Sequence, residues 1–505
     1  MSLPEPSPSS SRSGTRDAEL SAPRFAPAVR RWSGLIALLL AGLAIRLVLM
    51  PVEAFVYDRR AFTEWMVALK VHPLADFYTV HLRIPVDHLP GTIWLLTGLG
   101  TLASWMGVAG DRGIAALTPQ QAQPFLKALP ILADLIAGSL IVAIVRRAAP
   151  ERPRAALLAA GGWVFAPGVI FISAVWGQWD AISLVFVLAA ILAALHARQG
   201  HWAVAVAVPP LLALAMLMKP QFGILAPILG LFVLLDAAPA TGAPRRIRSF
   251  ADGRHLASAL WRGAGWKLAA GGILAVGVVT LAGWPFHVGL VPVDGWTTYA
   301  ERASFAANRF QGTTYGAISL WLIPLGIHHP PPDSEAIWGS LTAARIGWSL
   351  VAASAVAGLA IAHRHRWSAA GLIAGSTVTY LGFVLFATRM HERYLLPALA
   401  FTLLLAGVRP ALGTILPAVA LSLAYFASVY LSYTSYAMDE QLPLGRLRTG
   451  AMLSSLGVIG IASFAMILVS AWTSASSPHR SRRSRPASSP SPDAALRGQP
   501  ANAGD

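Results

Sequence analysis

The segment "ATRMHERYLLPALAF", residues 387–401, places charged side chains between two apolar runs. Its ionisable residues Arg389, His391, Glu392 and Arg393 fall within five positions. In hydrocarbon each full charge costs roughly 2.5 to 3.5 kcal/mol, so these side chains must pair with one another or line a wet cavity. The segment therefore predicts either a structural ion-pair cluster at a helix–helix turn or a polar site at one end of a helix bundle.

The composition places this segment in a membrane protein. The chain has 505 residues, of which 55% are hydrophobic and 12% charged, and its mean hydropathy is +0.58. Apolar runs of about 20 residues, the length that a helix needs to cross a bilayer, recur along nearly the whole chain. The composition therefore predicts an all-α, polytopic membrane bundle.

The net charge and the absence of cysteine exclude several classes of function. A net charge of +16 is typical of nucleic-acid binding, but here the basic residues lie between apolar runs and in the tails rather than on one soluble face. We therefore predict no nucleic-acid partner and interpret these charges as topology signals. Without cysteine the chain has no disulfide, no thiolate metal site and no cysteine nucleophile.

Twelve apolar runs are long enough to be counted as spans. They are 33–52, 125–145, 154–174, 179–197, 202–218, 221–237, 265–283, 341–362, 369–387, 395–408, 411–432 and 450–471.

The distribution of Lys and Arg decides the topology, because these residues collect in short cytoplasmic loops. Most basic clusters become cytoplasmic if the run 89–109 lies along the outer interface and the run 316–327 does not span. The predicted organisation has these parts: a disordered cytoplasmic N-terminus, 1–28; a transmembrane domain, 29–472; a first external loop with amphipathic interfacial helices, 53–124; a second external loop, 284–340; and a disordered basic cytoplasmic tail, 473–505.

Two charges inside predicted spans have a structural explanation. Arg46 lies in the first span, at a depth similar to that of Asp134 in the antiparallel second span, counting 1.5 Å per residue. We predict a buried ion pair between them and no catalytic role.

With this topology, the remaining polar clusters all fall on the external side. Asp58 precedes an amphipathic helical pattern formed by Phe62, Trp65, Met66 and Leu69. The other external clusters are "PVDHLPG" (85–91), "VWGQWDAI" (175–182) and "MKPQFG" (218–223). Each has a structural alternative, because Asp58, Asp87 and Asp180 would also serve as helix caps and Lys219 would snorkel from a helix end.

In their order and shared side these motifs resemble those of the GT-C membrane glycosyltransferases. The aspartate after the first span, "DHLPG", "GQWD", "KPQ" and "HERYLLP" carry the resemblance, which covers about residues 30–470. It is strongest to bacterial relatives of the mannosyltransferases of GPI-anchor assembly. Family members more often have "DYPPG" where this chain has "DHLPG".

The resemblance implies that a hexose is transferred, with inversion, from a polyprenyl-phosphate donor to a glycolipid or lipid-linked glycan outside the cell. The family resemblance favours mannose as this hexose. Asp58 would be the catalytic base. Asp87, Gln178, Asp180 and Gln221 would bind substrate hydroxyls, and Trp176 with Trp179 would stack on the sugar. The phosphate would be held by Lys219, Arg389, His391, Glu392 and Arg393, with His391 as a cation.

Cofactors and alternatives complete the prediction. No Asp-x-Asp metal signature occurs in the first loop, so we expect no metal and no cofactor besides the lipid-linked donor. A flippase or transporter for a lipid-linked sugar would need the same cationic site, and a ligase for a lipid-linked glycan would share the fold. The Ala- and Arg-rich composition favours a bacterial plasma membrane.

Overall fold

Helices make up most of the chain in the computed structural model, which describes residues 25–197, 202–236, 258, 261–325, 331–437 and 450–474. The helices in these ranges are α1 (Phe25–Leu49), α2 (Val56–Val71), α3 (Pro90–Trp105), α4 (Pro119–Ala148), α5 (Pro153–Val164), α6 (Pro167–Ile170), α7 (Asp180–Ala197), α8 (Trp202–Met216), α9 (Ala226–Asp236), α10 (Trp266–Gly283), α11 (Tyr299–Asn308), α12 (Leu322–Leu325), α13 (Ala343–Arg364), α14 (Ala369–Phe386), α15 (Leu396–Val408), α16 (Leu412–Ala437) and α17 (Gly450–Thr473).

The strands are short and belong to the connections between helices. They are β1 (Val288–Gly289), β2 (Thr297–Thr298), β3 (Thr314–Tyr315), β4 (Ala336–Trp338), β5 (Leu341–Thr342) and β6 (Met390–His391). The pairs β1–β2 and β3–β6 are parallel, whereas β4–β5 is antiparallel. The β3–β6 pair sets Tyr315 opposite His391 and so fastens the loop after α11 to the segment between α14 and α15.

The all-α, polytopic architecture is confirmed. Within the described ranges, eight helices are long and apolar enough to cross a membrane: α1, α4, α7, α10, α13, α14, α16 and α17. They correspond to eight of the twelve predicted spans. Three other predicted spans are shorter helices: α8, the segment Pro220–Leu235 that includes α9, and the 13-residue α15.

The predicted span 154–174 is broken. Helix α5 and the segment Pro167–Trp176, which ends in a π-helical turn, are bent by 49°. Ala166 adopts φ −59° and ψ 122° because the following proline disfavours the α conformation at the residue before it. Together the two halves count as a ninth candidate span.

The run 89–109 forms a helix that is short for a span. Helix α3 has 16 residues, or about 24 Å at 1.5 Å per residue, compared with a hydrocarbon core of about 30 Å. Pro90 occupies its first turn, as predicted. The run 316–327 contains only the four-residue α12 within the part that the structure describes.

Helices α14 and α15 form the centre of the bundle. Residues 371–386 of α14 are all buried, and twelve of the thirteen residues of α15 are buried as well. Close packing against α13 depends on glycine, because a Cβ at Gly375 would lie 2.4 Å from the carbonyl oxygen of Gly358. The charged segment of residues 387–395 is thus the connection between the two innermost helices.

Helix α2 has the amphipathic character that the sequence predicts. Its apolar residues Phe62, Trp65, Met66 and Leu69 are buried in a second, smaller core against α3 and α4. Asp58 and Asp87 are not helix caps, because the N-cap residues of α2 and α3 are Phe55 and Leu89. Asp58 lies instead in the first turn of α2.

Basic residues lie at the opposite end of the bundle from the charged segment. Arg152 donates to the carbonyl of Val408, and Arg364 donates to that of Trp472. Carboxylates, in contrast, follow α1, begin α7 and follow α14. The bundle is therefore electrostatically polar along the helix axes.

The two ends of the chain lie largely outside the described residues. The predicted disordered segments 1–28 and 473–505 are described only at 25–28 and 473–474. Residues 25–28 are the first turn of α1, so the helix of the first span extends beyond its apolar part. Residues 245–254 and the C-terminal arginines lie outside the described part of the chain.

The predicted pair between Arg46 and Asp134 is confirmed. Arg46 Nε lies 2.9 Å from Asp134 Oδ2, and both side chains are fully buried. Arg46 also donates to the carbonyl of Val164, and Trp163 Nε1 donates to that of Asp134. The pair therefore joins α1, α4 and α5 inside the bundle.

Breaking this pair on one side should destabilise the protein strongly. Arg46→Met leaves Asp134 buried without its partner, which is expected to cost about 3 to 5 kcal/mol, whereas Arg46→Met with Asp134→Leu should recover most of that loss. Thermal unfolding in detergent micelles measures both, with the exposed Arg112→Met as the control. Equal unfolding temperatures for Arg46→Met and Arg112→Met would contradict the prediction.

Candidate active site

Arg389 does not have a free guanidinium group. It forms a two-pronged ion pair with Asp333, through Nε to Oδ2 at 2.9 Å and Nη2 to Oδ1 at 3.0 Å. Thr388 donates to the same carboxylate, and Arg389 has a φ of +63° in the left-handed region. The charge of Arg389 is therefore paired with a carboxylate that anchors the second loop, and phosphate binding by Arg389 stays a prediction.

His391 lies in an aromatic enclosure. Its ring stacks on Tyr315 at 5.0 Å and meets Phe310 edge-on at 4.5 Å. Burial, together with the charges of Arg393 and Lys219, lowers the pKa of His391 well below its ordinary value of 6.5. Burial beside two cations disfavours the imidazolium, and the phosphate-binding role of His391 stays a prediction.

Arg393 is the central cation of the site. Its Nη1 lies 3.2 Å from Glu392 Oε1, and its Nε lies 3.8 Å from Asp180 Oδ2. Although burial opposes the charge, the neighbouring carboxylates Glu392, Asp58 and Asp180 raise the pKa of Arg393. Nη2 donates no hydrogen bond to any residue that the structure describes, so the guanidinium has a donor open to a ligand.

Glu392 acts as a partner of Arg393. Its side chain is 2% exposed, and burial raises its pKa. In the structure Glu392 is the counter-ion of Arg393, and its predicted place in the phosphate site stays a prediction.

Lys219 and Asp180 form a second ion pair beside Arg393. Lys219 Nζ lies 3.1 Å from Asp180 Oδ1 and 4.9 Å from the ring centre of Tyr394. Asp180 begins α7 and is 2% exposed, and its contact with a sugar stays a prediction. Its two oxygens face the two cations, and it holds them side by side.

Asp58 is held by two donors on one oxygen. Trp176 Nε1 donates to Asp58 Oδ2 at 2.7 Å, and Gln178 Nε2 donates to the same atom. Gly177 between them adopts φ +87°, which L side chains rarely allow, and this turn lets both neighbours reach the carboxylate. Oδ1 accepts no hydrogen bond from a residue in the described ranges, so it remains open to a hydroxyl.

The predicted sugar-stacking residues are buried. Trp176 is 2% exposed and packs on Phe55 and Tyr433, while Trp179 is 3% exposed and donates to the carbonyl of Leu126. Gln178 is also buried and has its amide on Asp58. Trp176 and Gln178 thus hold Asp58, and Trp179 belongs to the core, while the contact of these residues with sugar stays a prediction.

Asp87 is paired on both oxygens. His88 Nδ1 lies 2.8 Å from Oδ1, and Arg309 Nη1 lies 3.0 Å from Oδ2. Arg309 also donates to the hydroxyl of Tyr57, next to Asp58 in the chain. Burial alone would raise the pKa of Asp87, but the His88 hydrogen bond and the charges of Arg309 and Arg393 lower it to about 2.

A polar cavity of about 450 Å³ collects most of these groups. Of the predicted site residues, its lining includes Asp87, Lys219, Gln221, Arg389, His391 and Arg393. Asp58, Trp176, Gln178, Asp180 and Glu392 are not among the lining residues, and the charge of Asp58 contributes to the raised pKa of Arg393, which is one.

An apolar groove of about 360 Å³ adjoins the polar cavity. It lies between α8, α10 and α11 and is lined almost entirely by aliphatic side chains such as Met216 and Val276. Leu89, Pro220 and Ala303 line both spaces and mark their junction.

Three residues of this site are missing from the predicted set. Arg309 and Asp333 pair with Asp87 and Arg389, which lie far away in the chain, whereas His88 stands next to its partner Asp87. Only the proximity of His88 to Asp87 would have indicated it. Among the described residues, no cluster of three His, Asp or Glu side chains is arranged to hold a metal ion.

The stability of the protein should depend on Asp87 in acid. Because its folded-state pKa of about 2 lies below the ordinary value of 3.8, its ionised form stabilises the fold above about pH 4. That contribution is lost as the pH falls from about 4 to about 2. We expect Asp87→Asn to lower the free energy of unfolding by roughly 2 kcal/mol at pH 7 and by much less near pH 2.

Chemical denaturation at several pH values measures this difference. Asp76→Asn, which replaces an exposed aspartate of the same loop, is the matched control. If Asp87→Asn lowers the free energy of unfolding by the same amount at pH 7 and at pH 2, the ionised form of Asp87 does not stabilise the fold.

Comparisons with known proteins give distant structural similarities. No protein-family profile matches the sequence, and no curated protein matches it significantly. The chain is similar to the oligosaccharyltransferase of Archaeoglobus fulgidus, with a TM-score of 0.43 and 13% identity over 90% of this chain and 56% of that one. It is also similar to ArnT from Cupriavidus metallidurans bound to undecaprenyl phosphate, with a TM-score of 0.40 and 13% identity over 88% of this chain and 77% of that one. The chain thus spans about half the length of the archaeal enzyme.

Proposed function

We propose that this protein is a GT-C-type glycosyltransferase that takes a hexose from a polyprenyl-phosphate donor. The observation that carries the proposal is the junction of the polar cavity with the apolar groove. Lys219 and Arg393 present cationic donors on the wall of the cavity, and the groove beginning at Ala303 has an almost wholly aliphatic lining. An amphiphile with a phosphate head and a hydrocarbon chain fits both halves.

Lys219 and Arg393 would hold the phosphate. Fixed cationic donors in a water-poor site stabilise the charge that develops on a leaving phosphate. The open Nη2 of Arg393 supplies a directional hydrogen bond, and Lys219 adds a second charge. With this assignment the reaction needs no metal, and activity is expected to persist in EDTA.

Asp58 would be the general base. Two donors fix its Oδ2, which leaves Oδ1 to accept the proton of an acceptor hydroxyl. The deprotonating oxygen attacks the anomeric carbon from the face opposite the phosphate, the bond to the phosphate oxygen breaks, and the configuration inverts. The polyprenyl phosphate leaves with its charge on Lys219 and Arg393.

The substrates and orientation of the enzyme are part of the proposal. Mannose as the sugar, and a glycolipid or lipid-linked glycan as the acceptor, follow from the motif resemblance. The basic end near Arg152 and Arg364 supports a cytoplasmic location for that end and for both termini, by the positive-inside rule. The site then faces outward from a bacterial plasma membrane, where a lipid-borne donor is needed.

Replacing Asp58 tests the reaction directly. Asp58→Asn keeps the size of the side chain but removes the base, so transfer should fall about 10²- to 10⁴-fold while donor binding persists. Purified protein in liposomes is supplied with polyprenyl-phosphate-mannose and glycolipid extracts, and labelled mannose in the product is counted. Asp111→Asn, in an exposed turn, is the matched control.

The same liposomes separate the alternatives. Full transfer by Asp58→Asn would remove Asp58 as the base. Donor binding without transfer by the wild type, together with scrambling of the donor between leaflets, would identify a flippase instead. Transfer only from a lipid-linked oligosaccharide would identify a ligase.

The apolar groove should determine which carrier lengths are used. Ala303 lies at the junction of groove and cavity, so Ala303→Trp is expected to block the path of a long prenyl chain. Transfer from a long-chain donor should fall at least tenfold, and transfer from a donor with a short, water-soluble chain should change little. Ser304→Trp, the exposed neighbour on the same helix, should affect neither; an equal loss with both donors would argue against the groove as the chain site.

A further inference from the structure

His88 is a polar group on the cavity wall that the proposed reaction does not yet use. Its ring lies between Phe62, at 5.6 Å edge-on, and Trp65, at 5.3 Å, and its side chain is 20% exposed. The resembling family more often has tyrosine at this position. His88 is therefore held firmly while one edge of the ring faces the cavity.

The pairing with Asp87 fixes the tautomer of His88. Asp87 Oδ2 is occupied by Arg309, and the carboxylate, whose pKa is about 2, can only accept hydrogen bonds. Nδ1 of His88, 2.8 Å from Oδ1, must then carry the hydrogen. No residue in the described ranges bonds to Nε2, the other ring nitrogen, which carries a lone pair whenever the ring is uncharged.

The neighbouring wall makes this acceptor distinctive. Lys219 and Arg393 can only donate hydrogen bonds. The carboxylate of Asp333 has both oxygens engaged by Arg389. The charged groups of the cavity therefore favour an anion, whereas Nε2 of His88 offers a hydrogen-bond acceptor. A ligand that carries a hydroxyl group next to a phosphate would match both.

We propose that His88 determines sugar specificity, with Nε2 accepting a hydrogen bond from one hydroxyl group of the hexose on the lipid-linked donor. This inference rests on the proposed function and adds the substrate group that the site selects. A site built to bond a hydroxyl disfavours the analogue that lacks it, because a desolvated polar group is then left unmatched. Asp87 is the positioning residue that orients the ring.

A cycle of protein and substrate variants tests the contact. The donors are polyprenyl-phosphate-mannose and its four analogues that each lack one hydroxyl, at positions 2, 3, 4 and 6. The proteins are wild type and His88→Phe, which keeps the ring against Phe62 and Trp65 but removes both nitrogens. Both the dissociation constant of the donor and kcat/KM for transfer are measured.

For one of the four deoxy donors, the loss caused by the protein variant and the loss caused by the missing hydroxyl should not be additive. His88→Phe is expected to lower donor affinity and kcat/KM for the intact sugar about 10- to 100-fold. With that one analogue, the donor affinity and kcat/KM of the wild type should fall by a similar factor. The His88→Phe variant should lose little more when it is given the same analogue. His88→Gln, which can place an amide oxygen near the same point, should restore part of the preference, and the exposed His81→Phe should change nothing.

Additive losses for every deoxy donor would overturn the inference while leaving the transferase intact, since the wild type would still transfer mannose. Non-additivity with a deoxy acceptor instead of a donor would also overturn it, because Nε2 would then contact the acceptor. If the wild type neither binds nor uses the donor, or its glucose and galactose counterparts, the proposed function and this inference both fail.

Discussion

Charges enclosed between two fully buried helices are the constraint on which this site depends. Helices α14 and α15 have almost no exposed surface, and the segment that joins them carries the largely buried charges of Glu392 and Arg393. Each charge must find its counter-ion on another element: Arg389 on Asp333, and Arg393 on Glu392 and Asp180. The loops and helix ends that supply those counter-ions are thereby drawn into one place, and the cavity is the space that they leave.

The division between polar and apolar space follows from the same arrangement. Ion pairs collect on the side of α7 and α14, whereas α8 and α10 present aliphatic side chains next to them. The boundary is narrow, since three residues line both spaces. A molecule with one charged end and one hydrocarbon end is therefore matched by geometry as well as by charge.

Features that depend on composition, periodicity or helix depth could be predicted from the sequence, and features that depend on distant partners could not. The long helices, the apolar face of α2 and the Arg46–Asp134 pair follow from hydropathy, spacing and the 1.5 Å rise of a helix. The enclosure of His391 depends on Phe310 and Tyr315, and the contact of Trp176 depends on Asp58, 118 residues earlier. These contacts form only when the helix bundle is assembled. A sequence motif therefore identifies the polar residues but does not show which contact each of them makes.

The β3–β6 pairing and the Asp333–Arg389 ion pair have one further consequence. They attach the second large loop at two points to the backbone that carries His391 and Arg393. A ligand that shifts this backbone must also shift the loop, and by thermodynamic reciprocity any agent that restrains the loop alters the affinity for that ligand by the same factor. The conformation of the second loop is thus coupled to ligand binding in the cavity. Antibodies or crosslinks directed at the surface of this loop would act as allosteric effectors without entering the cavity.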